Sequence, residues 1–93
     1  MPTTVHARDD LERYEIEVDG GVAGLTEVHI VDGVANMPHT EISPDFGGRG
    51  LATTLIRETL DDLRARGLHI VPTCPFVRAF LEKNPDYQDL VAG

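Results

Sequence analysis

The chain has 93 residues, 41% of them hydrophobic and 26% charged, which is ordinary for one small globular domain. No apolar run reaches the length of a membrane span, and the N-terminus lacks the basic-then-apolar pattern of a signal peptide. We therefore predict a single domain over residues 1–93 with no membrane partner. Cys74 is the only cysteine, which excludes an internal disulfide and favours a cytoplasmic location.

The net charge of −8 is distributed unevenly along the chain. Residues 1–46 contain ten acidic and two basic residues, whereas residues 47–93 contain six of each. Nucleic acid requires a basic face, so we exclude it as a partner. The acidic half suits a cationic partner such as an amine, although an acidic surface also serves solubility.

The first half of the chain has the pattern of consecutive strands. Apolar and charged residues alternate over residues 13–19, and Gly20-Gly21 then predicts a hairpin turn. A second strand is predicted over 22–31, with Thr26, Val28 and Ile30 on one face. After a turn at residues 32–33, a third strand covers 34–42, where Pro38 predicts an interruption because proline cannot donate to a ladder.

The second half has the pattern of two helices around a short strand. Residues 51–66 place apolar side chains at three- and four-residue spacing, and Gly67 is typical of a residue that ends a helix. A short strand is predicted over His69–Val71, and Cys74-Pro75 opens a predicted second helix over residues 75–83. Residues 86–93 are predicted to be a short tail whose apolar side chains can dock onto the domain. The order predicts an α+β fold with a mostly antiparallel sheet, a long helix after a glycine-rich turn, and a short C-terminal helix.

Three glycines (Gly47, Gly48 and Gly50) precede the long helix. Glycine allows a positive φ and a close approach to a ligand, and a helix N-terminus presents free N–H groups and a positive dipole end. Together these features indicate a phosphate site, with a tight strand-to-helix connection as the alternative. Gly50 is followed by Leu51 and Ala52, which excludes a P-loop, and Thr53 replaces the last glycine of a dinucleotide fingerprint.

Two segments carry a resemblance to a known family: PHTEISPDFGGRGLA at residues 38–52 and IVPTCPFVRAFLEKNPDY at 70–87. With the preceding hairpin, they resemble the GNAT-type N-acetyltransferases, and more closely the small YjdJ-type branch. The resemblance implies acetyl-CoA or CoA as the bound co-substrate and an amine-bearing acceptor, either a protein or a small amine. It also implies that two neighbouring strands splay apart around the thioester.

The resemblance further implies a set of cofactor-binding residues. The pyrophosphate is expected on the turn, the pantetheine arm along the strand that ends at Ile42, and the thioester near Cys74. The family prefers Gln or Arg at the position of Gly47, so one side-chain contact is expected to be missing. The predicted cofactor-binding residues are Ile42, Phe46, Gly47, Gly48, Arg49, Gly50, Leu51, Ala52, Thr53, Cys74, Pro75, Phe76 and Lys83.

Cys74 and His39 are the candidate catalytic residues. Cys74 could be a nucleophile, an acid for the leaving thiolate, or an apolar wall; its place at a helix N-terminus puts it near N–H groups that stabilise a thiolate. His39 could be a base because its ordinary pKa is near neutrality, or a structural histidine. No metal site is predicted from the histidine and cysteine spacing. A non-catalytic acyl-CoA sensor or an interaction module remains the alternative function, and we predict a monomer or weak dimer.

Overall fold

The computed structural model describes residues 3–47 and 50–92, which form two sheets and two α-helices. The strands are β1 (Thr3–Arg8), β2 (Arg13–Val18), β3 (Gly21–Glu27), β4 (His29–Val31), β5 (Val34–Asn36), β6 (Thr40–Ile42) and β7 (His69–Val71). One sheet has four strands in the order β1-β2-β3-β6, and the other has three in the order β4-β5-β7. This mixed α+β architecture confirms the predicted fold class.

The four-stranded sheet is antiparallel throughout. Its β2–β3 hairpin turns at Asp19 and Gly20, both with positive φ, so the turn lies one residue earlier than predicted. Strand β1 was not predicted. A Cβ added at Gly24 would lie 2.7 Å from the carbonyl oxygen of Glu41 and would clash with the Ile42 side chain, so β6 packs tightly against β3.

The two long strands predicted over 22–31 and 34–42 are each divided between the sheets. The first divides at Val28, whose N–H leaves the ladder and donates to the carbonyl of Glu12. The second divides between Asn36 and Thr40, and this interruption contains Pro38 as predicted. Val28 is buried as expected, whereas Ile30 is 37% exposed in the three-stranded sheet.

Helix α1 (Leu51–Ala65) covers the inner face of the four-stranded sheet, and α2 (Pro75–Lys83) follows β7. Gly67 has a φ of 75° beyond the end of α1, and Cys74 precedes α2, both as predicted. The tail forms a 3-10 helix over Pro85–Leu90, and Val91 bridges to Ile70 beside β7. In the described part of the chain, no helix combines the length and the apolar character needed to cross a membrane.

Tyr14 holds the C-terminal part of α1 against β2. Its hydroxyl donates to the Asp62 carboxylate, and Arg66 donates to the same hydroxyl at 3.0 Å. Partial burial, together with the hydrogen bond to Asp62, raises the pKa of Tyr14 to about 12. The phenol therefore stays protonated at neutral pH and serves as a structural tie between helix and sheet.

Thr59 is fully buried in α1, and its hydroxyl has no hydrogen-bond partner among the described residues. An unsatisfied buried hydroxyl costs about 1–3 kcal/mol. Thr59→Val keeps the shape and removes the hydroxyl, so we expect it to raise the free energy of unfolding by about 1 kcal/mol. Urea unfolding measures this change, and a destabilised Thr59→Val protein would contradict the assignment of an unpaired hydroxyl.

Candidate functional site

The division of the strand pair around residue 37 creates the opening of the candidate site. Strand β5 pairs with β7 in parallel, and the Met37 N–H still donates to the carbonyl of Val71 at 3.1 Å. Beyond Met37 the chain joins β3 instead, as strand β6. The two chain segments therefore separate here, as the resemblance implied.

One edge of β6 faces this opening. The amide of Glu27 donates to the carbonyl of His39, and the amide of Ser43 donates to the carbonyl of Ala23, which marks the residues of β6 that bond to β3. Because backbone groups alternate in an antiparallel ladder, Thr40 and Ile42 direct their N–H and C=O groups away from β3. This free edge can bond to an extended amide-containing ligand.

The N-terminus of α1 lies at the end of the turn that follows β6. Gly50 has a φ of 70°, and the first helical bond runs from the Thr54 amide to the Gly50 carbonyl at 3.3 Å. The amides of Leu51, Ala52 and Thr53 precede that bond and have no partner within the helix. The N-cap residue Gly50 has no side chain to cap them and no acidic residue lies in the first turn, so these donors suit an anion.

The structure revises the reason for the glycines in the turn. Gly47 has a φ of −62° and a ψ of 150°, which any residue adopts, so its backbone does not require glycine. Of the two described glycines in this turn, Gly50 is the one whose positive φ favours glycine. The predicted contacts at Gly48 and Arg49 lie outside the described residues.

A groove of about 270 Å³ lies between the N-terminal half of α1 and helix α2. It brings together four of the predicted cofactor-binding residues, Ala52, Thr53, Phe76 and Lys83. Asn84 and three residues that sequence analysis did not assign complete its wall: Ile56, Ala79 and Phe80. Ile56, Ala79 and Phe80 lie three or four residues from the predicted ones, and this spacing was the available signal, because such residues share a helix face.

Charge and apolar surface are both present at this groove. The Phe76 side chain is 53% exposed, and Lys83 supplies a cation on the same helix. The Phe80 ring packs against the Arg57 guanidinium, whose central carbon lies 5.2 Å from the centroid of the Phe80 ring. It also makes an edge contact with the Tyr87 ring. An apolar groove with a cation beside free helix amides matches a ligand with an apolar arm and phosphates.

The remaining predicted residues lie around the same opening. Ile42 ends β6 and is half-buried, and Phe46 lies half-buried against the core in the 3-10 turn Pro44–Phe46. Leu51 is buried at the start of α1, while Pro75 is exposed at the start of α2. Three surface hollows of the described residues are larger than this groove. Those of about 380 and 520 Å³ are near Tyr14 at the other end of α1; the first has charges of both signs and the second is lined by carboxylates and His6. The third, of about 300 Å³, lies along β3 and β6.

Cys74 lies next to β6 but beneath the surface. Its amide donates to the Met37 carbonyl at 2.9 Å, which fixes it at the point where the strands separate. The side chain is 2% exposed, and its thiol donates to the Thr40 hydroxyl at 3.4 Å. Cys74 does not line the groove of about 270 Å³.

The structure does not bring His39 and Cys74 together. Adjacent residues of an extended strand point to opposite faces, and Thr40, next to His39, faces Cys74. The His39 ring is 51% exposed on the other face, with Nε2 3.6 Å from a carboxylate oxygen of Glu41. Direct proton transfer between His39 and Cys74 is therefore excluded in this conformation.

One cluster with metal-ligand character was not predicted: single atoms of His6, Glu15 and Glu17 all lie within 4.8 Å of one another. Glu15 is 2% exposed and accepts from Arg13 at 2.6 Å and from Arg8 at 3.5 Å. Two guanidinium groups thus already compensate the buried charge. We interpret this cluster as an ion-pair network on the outer face of the four-stranded sheet.

Comparisons with known proteins agree with this geometry. A sequence model of the GCN5-related N-acetyl-transferase family matches residues 13–90. A GCN5-like protein from Staphylococcus aureus, solved by NMR, matches with a TM-score of 0.71 and 25% identity over 97% of this chain and 88% of that chain. A comparison with curated proteins gives no match.

Larger enzymes share the fold over part of their length. The ribosomal-protein-S18-alanine N-acetyltransferase of Escherichia coli matches with a TM-score of 0.64 and 21% identity over 76% of this chain and 49% of that chain. N-acetylglutamate synthase from Neisseria gonorrhoeae was solved in complex with coenzyme A and N-acetyl-glutamate. It matches with a TM-score of 0.59 and 17% identity over 90% of this chain and 24% of that chain. This chain therefore spans about half or less of these two enzymes.

The family match covers most of the chain, so the chain belongs to the GCN5-related N-acetyltransferase family. It is an acetyltransferase by family, with acetyl-CoA as its co-substrate. The YjdJ-type branch, the cytoplasmic location and the oligomeric state stay predictions.

Proposed function

We propose that this chain, as one domain, transfers the acetyl group of acetyl-CoA to the amine of a cationic acceptor. The observation that carries the proposal is the groove beside the N-terminus of α1, where first-turn residues of α1, Lys83 and apolar side chains come together. We assign the phosphates of CoA to the amides of Leu51–Thr53 and the pantetheine arm to the groove and the edge of β6.

In the proposed reaction, the amine nitrogen attacks the thioester carbonyl carbon and the carbon–sulfur bond breaks. The CoA thiolate takes a proton, the amine loses one, and the products are the N-acetyl acceptor and free CoA. We assign Cys74 as the proton donor to the thiolate, because its thiol lies beside β6 at the strand separation. Water then carries the proton from the amine back to Cys74.

Incubation with labelled acetyl-CoA tests this proposal. Mass spectrometry of added amine pools is expected to find the acetyl label on an amine, with release of free CoA in equal amount. Binding of CoA without any release in the presence of amines would favour the alternative, a non-catalytic acyl-CoA-binding module. The deep burial of Cys74 is the observation that favours that alternative.

A cationic acceptor is supported by the charge of the outer face of the four-stranded sheet. His39 and Glu41 lie on this face of β6, next to the opening, and Glu27 lies on it beside His29. Hydrogen bonds to Glu27 and Glu12 raise the pKa of His29, which reflects the negative potential around that ring. We assign this face as the approach path of the acceptor.

Acetyl transfer to a cationic acceptor is expected to slow by several-fold as ionic strength rises from about 0.01 to 0.15 M, because the Debye length falls from about 30 Å to 8 Å. Rates at saturating acetyl-CoA measure this effect. Glu41→Gln should weaken the salt dependence, whereas Asp19→Asn, the same charge change in the β2–β3 turn, should leave it unchanged. A rate independent of salt in the unmodified protein would contradict electrostatic recruitment.

A further inference from the structure

A buried chain of hydrogen bonds connects Cys74 to the middle of the four-stranded sheet. The Cys74 sulfur lies 3.4 Å from the Thr40 hydroxyl, which lies 2.8 Å from the Thr26 hydroxyl. Thr26 in turn donates to the carbonyl of His39 at 3.4 Å. Cys74, Thr40 and Thr26 are 2%, 5% and 0% exposed, so these groups bond to one another rather than to solvent.

The strand pairing explains why these groups meet. Thr26 and Thr40 are directly opposite each other in the β3–β6 pair. Their neighbours Glu27 and His39 share the ladder bond, so Thr26 and Thr40 form a non-hydrogen-bonded pair, in which opposite side chains are closest. The backbone bond from Cys74 to Met37 then places the thiol beside Thr40.

The direction of these hydrogen bonds follows from the last group in the series, the carbonyl of His39. A carbonyl only accepts, so Thr26 donates to His39, Thr40 donates to Thr26, and the Thr40 oxygen remains free to accept from the Cys74 thiol. If the thiol loses its proton, the Thr40 hydroxyl can rotate and donate to the sulfur instead. The two threonines can therefore serve the sulfur in both of its protonation states.

We propose that Thr40, supported by Thr26, is a positioning residue that holds the Cys74 thiol and is its hydrogen-bond partner during acetyl transfer. This inference rests on the proposed function, in which Cys74 gives its proton to the CoA thiolate. Apolar surroundings alone would leave the sulfur without a polar partner once that proton is gone. This role gives a reason for the threonine that follows His39 in the sequence.

Two readouts test this role. The first is the S–H stretching band in the infrared, which belongs to one residue because Cys74 is the only cysteine. The second is the division of the effect between kcat and KM for acetyl-CoA. Thr40→Val removes the hydroxyl at constant shape, Thr40→Ser retains it, and Thr59→Val is the matched control because that buried threonine has no hydrogen-bond partner among the described residues.

We expect Thr40→Val to shift the S–H band to higher frequency. We also expect it to lower kcat at least about fivefold, the rate change that corresponds to the loss of one neutral hydrogen bond, with KM nearly unchanged. Thr40→Ser should restore the band and most of kcat, and Thr59→Val should change neither. Thr26→Val, which leaves Thr40 in place, should produce a smaller shift in the same direction. It also keeps the test open if Thr40→Val does not fold.

An unchanged S–H band in Thr40→Val, or an equal loss of kcat in Thr59→Val, would overturn the inference. A failure of Thr40→Ser to restore kcat would also overturn it. If the unmodified protein transfers no acetyl group, the proposed function fails. The band, measured without acetyl-CoA, then decides alone whether Thr40 holds the thiol.

Discussion

Replacing Cys74 with alanine is expected to lower acetyl transfer at least about a hundredfold, because a positioned proton donor contributes about 10²–10⁴ in rate. Binding of CoA should change little, since Cys74 does not line the groove of about 270 Å³ and is assigned a contact only with the sulfur end of the cofactor. The side chain is small and buried, so the free energy of unfolding should fall only modestly. Steady-state kinetics and urea unfolding measure both effects.

Cys74→Ser is the matched variant. Its hydroxyl can still donate to Thr40, so folding should be preserved, but a hydroxyl gives up its proton far less readily than a thiol. An equally severe loss in the serine and alanine variants would mean that the sulfur itself takes part. Full activity in a folded Cys74→Ala protein would contradict this and reduce Cys74 to a wall of the site, with water in place of Cys74 as the proton donor to the CoA thiolate.

Gly50→Val is expected to weaken CoA binding at least about tenfold, which is about 1.4 kcal/mol. No described atom lies within 4 Å of a Cβ built at Gly50, so the new side chain would project into the space beside the free amides of α1. The φ of 70° also strains any branched residue there, at a cost of about 1–2 kcal/mol. Calorimetric titration with CoA measures the loss of binding.

Gly67→Val separates that strain from the loss of a phosphate site. Gly67 has a φ of 75°, likewise has no described atom within 4 Å of a built Cβ, and lies beyond the other end of the same helix. Both variants should therefore lose similar stability in urea, and only Gly50→Val should lose CoA affinity. If Gly50→Val bound CoA as tightly as Gly67→Val does, the phosphates would have to bind elsewhere.

The helices could be predicted from the sequence because their signals are local. The apolar spacing of α1, its end at Gly67, and the start of α2 after Cys74 all depend on residues within a few positions. The division of the strands at Val28 could not be predicted in this way. It depends on a bond to Glu12, which is sixteen positions away in sequence, and alternation of side chains is the same on both sides of the break.

The candidate site was predictable to a similar extent. The glycine turn and the first turn of α1 have a local signature, so Gly50, Ala52 and Thr53 could be assigned. The face of β6 that His39 occupies depends on which residues pair with β3, and the sequence does not contain that information. The partnership of Thr26 with Cys74 requires three separate elements to meet, and no spacing along the chain indicates it.

Gly24 protects this arrangement against misalignment of the strands. Strand β6 has only three residues, so few ladder bonds specify its alignment with β3. The close approach of Ile42 and Glu41 to position 24 permits no side chain there. A shift of one residue would bring Ala23 or Leu25 into that narrow space and would also turn Thr40 to the outer face. The narrow space at Gly24 thereby excludes the pairing that would separate Cys74 from its hydroxyl partner.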